Sequence, residues 1–137
     1  VLLGPSLFGF FLPDLQAAYD EAVGPLFDTL NWLEDRLRTR RYLMGDTLTE
    51  ADWRLFTTLV RFDPVYHLHF KCNQKRIVDY PNLWGYTREL FQYPGVSETV
   101  SFEHIKEHYY GSHRHVNPTG IIPGGPDIDF GEPHRRD

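Results

Sequence analysis

Apolar residues recur along the chain at three- and four-residue spacing in four stretches, and a proline- and glycine-punctuated segment follows them. Leu15, Ala18, Ala22, Leu26, Leu30, Leu33 and Leu37 form one stripe, which predicts a helix opened by Asp14 and closed over residues 36–41, where arginines suit the negative end of the helix dipole. Gly24-Pro25 interrupts that stripe. Proline lacks an N–H and its ring collides with the preceding turn, so a kink or break is expected near Val23. The second stretch opens with Leu48-Thr49-Glu50-Ala51-Asp52-Trp53. Thr49 and Asp52 have capping-box spacing, with Leu48 and Trp53 placed for a hydrophobic staple. Gly45-Asp46 supplies the turn before them. Leu55, Phe56, Leu59, Val60 and Phe62 then predict a buried central helix, ended by Asp63-Pro64.

After the short segment 65–72, Asp79-Tyr80-Pro81 predicts a third helix, with proline at a first-turn position that tolerates it. Leu83, Trp84, Tyr86, Leu90 and Phe91 give its apolar positions, and Tyr93-Pro94-Gly95 ends it. A fourth helix is expected from Ser101 and Phe102 through Ile105 to about Tyr110, stopped by Gly111. The tail, about residues 111–137, carries no period but has scattered apolar points such as Val116, Ile121, Ile128 and Phe130, so it is expected to wrap the helices as ordered coil. No strand pattern is present. The fold class is all-α, with residues 14–137 as one helical domain and 1–13 as a connector broken by Gly4-Pro5, Gly9 and Pro13.

Composition narrows the function classes. At 41% hydrophobic residues, 137 positions suffice for one real core. A net charge of −5 argues against nucleic acid gripped through phosphates, and no apolar run is long enough for a membrane span. The single cysteine, Cys72, excludes an internal disulfide framework and fits a reducing compartment, hence the cytoplasm. The chain starts at Val1 with Met44 as its only methionine, which suggests a piece of a longer polypeptide.

Candidate chemistry is sparse. His104 and His108 stand one helical turn apart, His113 and His115 follow, and His67, His69 and Cys72 form a second group. Neither group has a matching carboxylate or cysteine set at a recognised interval, so no metal is expected. Cys72 reads as a small buried side chain rather than a nucleophile. There is no phosphate loop, nucleophile elbow or carboxylate pair.

Longer strings say more. Arg41-Tyr42-Leu43-Met44-Gly45-Asp46 followed by Leu48-Thr49-Glu50-Ala51-Asp52 resembles the start of the core helix in the C-terminal helical domain of glutathione transferases. Arg61-Phe62-Asp63-Pro64-Val65-Tyr66, His69-Phe70-Lys71-Cys72-Asn73, residues 101–113, and the later Asn117-Pro118-Thr119-Gly120-Ile121-Ile122-Pro123 and Gly125-Pro126 resemble one branch of them. That branch is the glutathionyl-hydroquinone reductases, or Xi-class transferases, and the resemblance runs from about Gln16 to Asp137.

The resemblance implies a helical domain joined to an upstream thioredoxin-like domain that binds the co-substrate glutathione and carries the nucleophilic cysteine, so that no catalytic residue lies in this chain. In the family reaction that thiolate attacks the thioether sulfur, hydroquinone departs, and a second glutathione resolves the mixed disulfide. The helical domain walls the pocket for an aromatic quinol, and the family forms homodimers. Tyr109 matches a pocket tyrosine, with Tyr110 and His108 as flanking alternatives, while Thr49 and Asp52 take a structural role at the core helix. Two positions depart from the pattern: Ser6 stands where a second pocket tyrosine is expected, and Gly24-Pro25 falls in a helix that normally runs without proline. The alternative readings are a non-catalytic transferase-like interaction domain and a degraded gene copy.

Overall fold

The computed structural model describes residues 15–137. The connector 1–13, with Ser6, and the Asp14 cap lie outside the described residues. The order of elements is α1 (Leu15–Thr39), α2 (Glu50–Arg61), a π turn (Phe62–Tyr66), the short α3 (His67–His69), a 3-10 turn (Ile77–Asp79), α4 (Pro81–Phe91), a 3-10 turn (Ser97–Thr99), α5 (Phe102–Lys106) and a second π turn (Glu107–Gly111). Among the described residues there is no strand, only an isolated antiparallel bridge between Tyr42 and Gly45. The fold is all-α, as the periodicity predicts.

Neither Gly24-Pro25 nor Asp63-Pro64 breaks the helical run. Helix α1 runs through Pro25 without a break. Pro25 and Glu21, whose carbonyl loses its partner, are both exposed, where solvent can serve the orphaned oxygen, while Leu26, Leu30, Leu33 and Leu37 stay buried on the opposite face. The Asp63-Pro64 pair likewise fails to end the central helical run. The chain widens into a π turn in which the His67 N–H reaches back five residues to the Phe62 carbonyl, bypassing the N–H that Pro64 lacks. Asp63 is buried there and accepts the N–H groups of Ile77 at 2.7 Å and Val78 at 3.1 Å, which pins the next turn to the end of α2.

Helix α4 packs against both α1 and α2. Its first turn is capped from α1, where the Glu34 carboxylate accepts the backbone N–H of Asn82 at 2.9 Å and of Leu83 at 2.7 Å. An anion at a helix N-terminus meets both the unpaired N–H groups and the dipole.

Asp52 is the most densely bonded group in the core. It is fully buried, and its carboxylate accepts the Leu43 N–H at 2.9 Å, the Thr49 N–H at 2.9 Å and the Tyr86 hydroxyl at 2.7 Å, while the Thr49 hydroxyl stands 3.4 Å away. One side chain therefore ties the turn before α2, its first residue and α4 together. With the Thr49 hydroxyl at the edge of this cluster, Thr49→Ala is expected to lower stability by about 1 kcal/mol. An unchanged denaturant midpoint would contradict that.

The tail is held without secondary structure. Phe130 is buried against Trp84, Phe91 and Phe102 at ring separations of 5.2, 5.4 and 5.0 Å, and the Gln92 amide donates to the Phe130 and Glu132 carbonyls. Further on, Arg136 crosses α4 at Gly85, where an added Cβ would meet its side chain at 3.2 Å. It ends on Glu89, whose carboxylate takes Arg136 at 2.8 Å, Arg41 at 2.7 Å and the Tyr42 hydroxyl at 3.0 Å. Burial pushes the Glu89 carboxyl upward, but the bonds from Arg136, Arg41 and Tyr42 outweigh it and hold the group below its ordinary value. A depressed carboxylate contributes stability above its unfolded pKa and loses it as pH falls through the folded value. Tail amides near Arg136 are thus expected to stay protected from hydrogen exchange at neutral pH and to lose protection below the usual carboxylate range. Glu89→Gln should produce the same loss at pH 7, and full protection in that variant would refute the clamp.

Candidate functional site

The π turn after α2 brings Tyr66, His69 and Phe70 onto one wall, and the π turn after α5 brings Tyr109 and His113 against them. The hydroxyls of Tyr66 and Tyr109 lie 3.3 Å apart, with the rings edge-on at 5.7 Å. Phe70 stacks on Tyr66 at 5.7 Å and meets Tyr109 edge-on at 6.0 Å. Beside this pair, His69 Nε2 and His113 Nδ1 stand 3.4 Å apart.

Burial sets the protonation of the group. It raises the Tyr66 phenol well above its ordinary value, and the Tyr109 hydroxyl adds to the shift. His69 is lowered to about 4 by burial and then by the neighbouring His113, Lys71 and His115. Burial, followed by His108 and His115, also lowers His113. Both imidazoles are neutral at pH 7, so one donates and the other accepts across the 3.4 Å gap. Either hydroxyl can donate across this gap, and where Tyr66 donates, the Tyr109 proton is left for another acceptor. The 3.3 Å separation is longer than an ordinary O–H···O bond, a common state for sites that tighten on binding.

A cavity of about 390 Å³ opens next to this cluster. Helix α1 contributes Gln16 and Tyr19, the end of α3 and the segment after it contribute His69, Phe70, Lys71 and Asn73, and the tail contributes His115 and Val116. Tyr109 sits one layer behind, against His69 at 6.1 Å and against Phe70. Tyr110 is buried and donates to the Pro64 carbonyl at 3.0 Å, which anchors the second π turn to the first. His108 is exposed and packs edge-on against Tyr109 at 4.9 Å. A second cavity, about 440 Å³, lies on another face between α2 and residues 96–105, with His104 on its wall. Among the described residues no group of three or more His, Cys, Asp or Glu is disposed to hold a metal ion.

Tyr66 and the His69–His113 contact were not singled out as site features by sequence reasoning. The partners are 43 and 44 positions apart, and no periodicity links them. The only signal was that both lie in strings that carry the family resemblance. Cys72, the sole cysteine, is fully buried and its thiol is pushed up to about 12 by burial, so it offers no thiolate at neutral pH.

A family model described as glutathione S-transferase, C-terminal domain, matches residues 16–89, more than half of the chain. The chain belongs to that family. Over 122 residues it is 59% identical to a glutathionyl-hydroquinone reductase, YqjG of Escherichia coli, which covers 89% of this transferase domain and 37% of the relative. It is 60% identical over 111 residues to the glutathionyl-hydroquinone reductase PcpF of Sphingobium chlorophenolicum, covering 81% of this domain and 36% of the relative. The domain thus spans little more than a third of either relative. The glutathione-bound structure of YqjG superimposes with a TM-score of 0.94 at 52% identity, over 98% of this domain and 44% of that chain. A Xi-class transferase from Natrialba magadii gives 0.93 at 50% identity, over 98% and 42%. No helix among the described residues is long and apolar enough to cross a membrane.

Proposed function

We propose that this domain is the substrate-pocket half of a glutathione-dependent reductase that converts glutathionyl-hydroquinones to hydroquinones, and that residues 1–13 connect it to a thioredoxin-like domain bearing the nucleophilic cysteine. The observation that carries the reading is the Tyr66–Tyr109 hydroxyl pair, set in a frame of aromatic rings one layer behind the Phe70 and His69 that line an open cavity. A hydroquinone is a flat ring with two hydroxyls. Ring edges receive its faces, and a phenol that donates to a quinol oxygen holds it while the carbon–sulfur bond is cut. The likeness to two reductases over most of the domain supports the same reading.

This domain then binds, orients and supplies a hydrogen bond, while the thiol chemistry belongs to the cysteine outside it and to glutathione as co-substrate. The inert state of Cys72 fits that division. Cytoplasmic residence and a homodimer, the latter resting on the family resemblance, complete the proposal. The test is release of hydroquinone from a glutathionyl-hydroquinone in the presence of glutathione. The full-length protein is expected to turn over, and the 137-residue chain alone to be inactive. A folded full-length protein with no turnover would overturn the proposal.

A further inference from the structure

We propose that the cavity beside His69 is a carboxylate subsite in which the Lys71 ammonium is the counter-ion and the Asn73 amide is a hydrogen-bond donor. The charge pattern points this way. In a chain with 19 acidic residues and a net charge of −5, the described residues that line this cavity include a lysine and two amides and no aspartate or glutamate, and the nearby Asp20 carboxylate is engaged by the Gln16 amide at 2.9 Å. The ion pairs among the described residues do not include Lys71, and the residue is exposed. A cation with no ion-pair partner among the described residues, at a concave surface whose described lining carries no carboxylate, attracts an anion.

The backbone at this position is also unusual. Lys71 has φ 58, in the left-handed region that side chains other than glycine and asparagine avoid. It is held there from both sides: the Tyr19 hydroxyl donates to the Lys71 carbonyl at 2.8 Å, and the Cys72 N–H donates to the Tyr66 carbonyl at 3.2 Å. The turn lets residues 69, 70, 71 and 73 all face the same cavity. Backbone strain of this kind persists where the surroundings impose it, and it concentrates at ligand sites.

Phe70 and Val116 give the cavity an apolar floor, so the fitting ligand carries a carboxylate on an apolar body. Phe70 also touches Tyr109, which puts the subsite one ring away from the hydroxyl pair. On the function proposed above, the ligand is a glutathionyl-hydroquinone, and the carboxylate comes either from its peptide part or from an acid group on the quinol ring. The cavity chemistry is the same in both cases.

Binding to the full-length protein, measured by calorimetry, separates the sources without depending on turnover. S-benzylglutathione is compared with its diethyl ester, and 2,5-dihydroxybenzoate with hydroquinone. Lys71→Asn removes the charge but keeps a side chain suited to positive φ, so its melting temperature should not fall. The variant is expected to bind the carboxylate member of one pair about tenfold more weakly and its neutral partner unchanged, with Lys71→Arg restoring the loss. Loss confined to S-benzylglutathione assigns the subsite to the peptide carboxylates, and loss confined to dihydroxybenzoate assigns it to the ring. Equal effects on acid and neutral partner, no effect on either pair, or no binding of any carboxylate by the unsubstituted protein would overturn the subsite. Failure of the reductase function would leave these binding differences in place.

Discussion

Asp52→Ala is expected to destabilise the domain by about 3–5 kcal/mol, a large share of the roughly 5–15 kcal/mol that holds an ordinary domain together. The substitution removes little apolar volume. What it removes is the acceptor for the Leu43 N–H, the Thr49 N–H and the Tyr86 hydroxyl, and it leaves two donors buried without a partner and a third, the Thr49 N–H, half-buried. Each orphaned donor costs its desolvation, and the site is too tightly packed to readmit water freely. Asp52→Asn keeps one carbonyl oxygen and should cost less than alanine, while Tyr86→Phe removes a single bond and should cost about 1 kcal/mol. Denaturant unfolding of the three variants gives the ranking. A loss below about 1 kcal/mol for Asp52→Ala would mean the cluster is decorative.

In the full-length protein, Tyr109→Phe is expected to lower kcat/KM toward a glutathionyl-hydroquinone by about 10- to 100-fold, the range for one hydrogen bond to a reacting group. The ring contacts with Tyr66, Phe70 and His69 survive the substitution, so the fold should hold. Tyr66→Phe acts through Tyr109. It removes the partner that orients the Tyr109 hydroxyl, and its effect should be smaller and largely absent once Tyr109 is already phenylalanine. Wild-type rates in a stably folded Tyr109→Phe protein would remove the phenol from the pocket chemistry. Full additivity of the two substitutions would remove the Tyr66 relay.

The helices were legible in the sequence because burial imposes a period: Leu26, Leu30, Leu33 and Leu37 all lie in the core as their spacing implies. Neither proline pair broke its helical run, and for a shared reason. Proline forbids one hydrogen bond locally, yet whether the helix breaks depends on what happens to the freed carbonyl. At Pro25 the freed carbonyl belongs to the exposed Glu21, and at Pro64 a π turn reaches past the gap. Long-range polar links left no local trace. Asp52 was legible as a cap residue but not as the acceptor for Tyr86, which lies 34 positions away. Tyr109 could be picked out only through the resemblance, and its partner Tyr66 only by lying in a string that carries it. The tail was readable as coil, whereas its anchors, Phe130 and the Arg136–Glu89 contact, depend on docking that no periodicity encodes.

The most direct test is a structure of the full-length protein with a glutathionyl-hydroquinone bound. The account predicts a quinol oxygen within hydrogen-bonding distance of the Tyr109 hydroxyl, with the quinol ring in the aromatic frame of Phe70 and His69. A quinol lodged instead between Trp53 and Ile105, in the cavity on the other face, would contradict it.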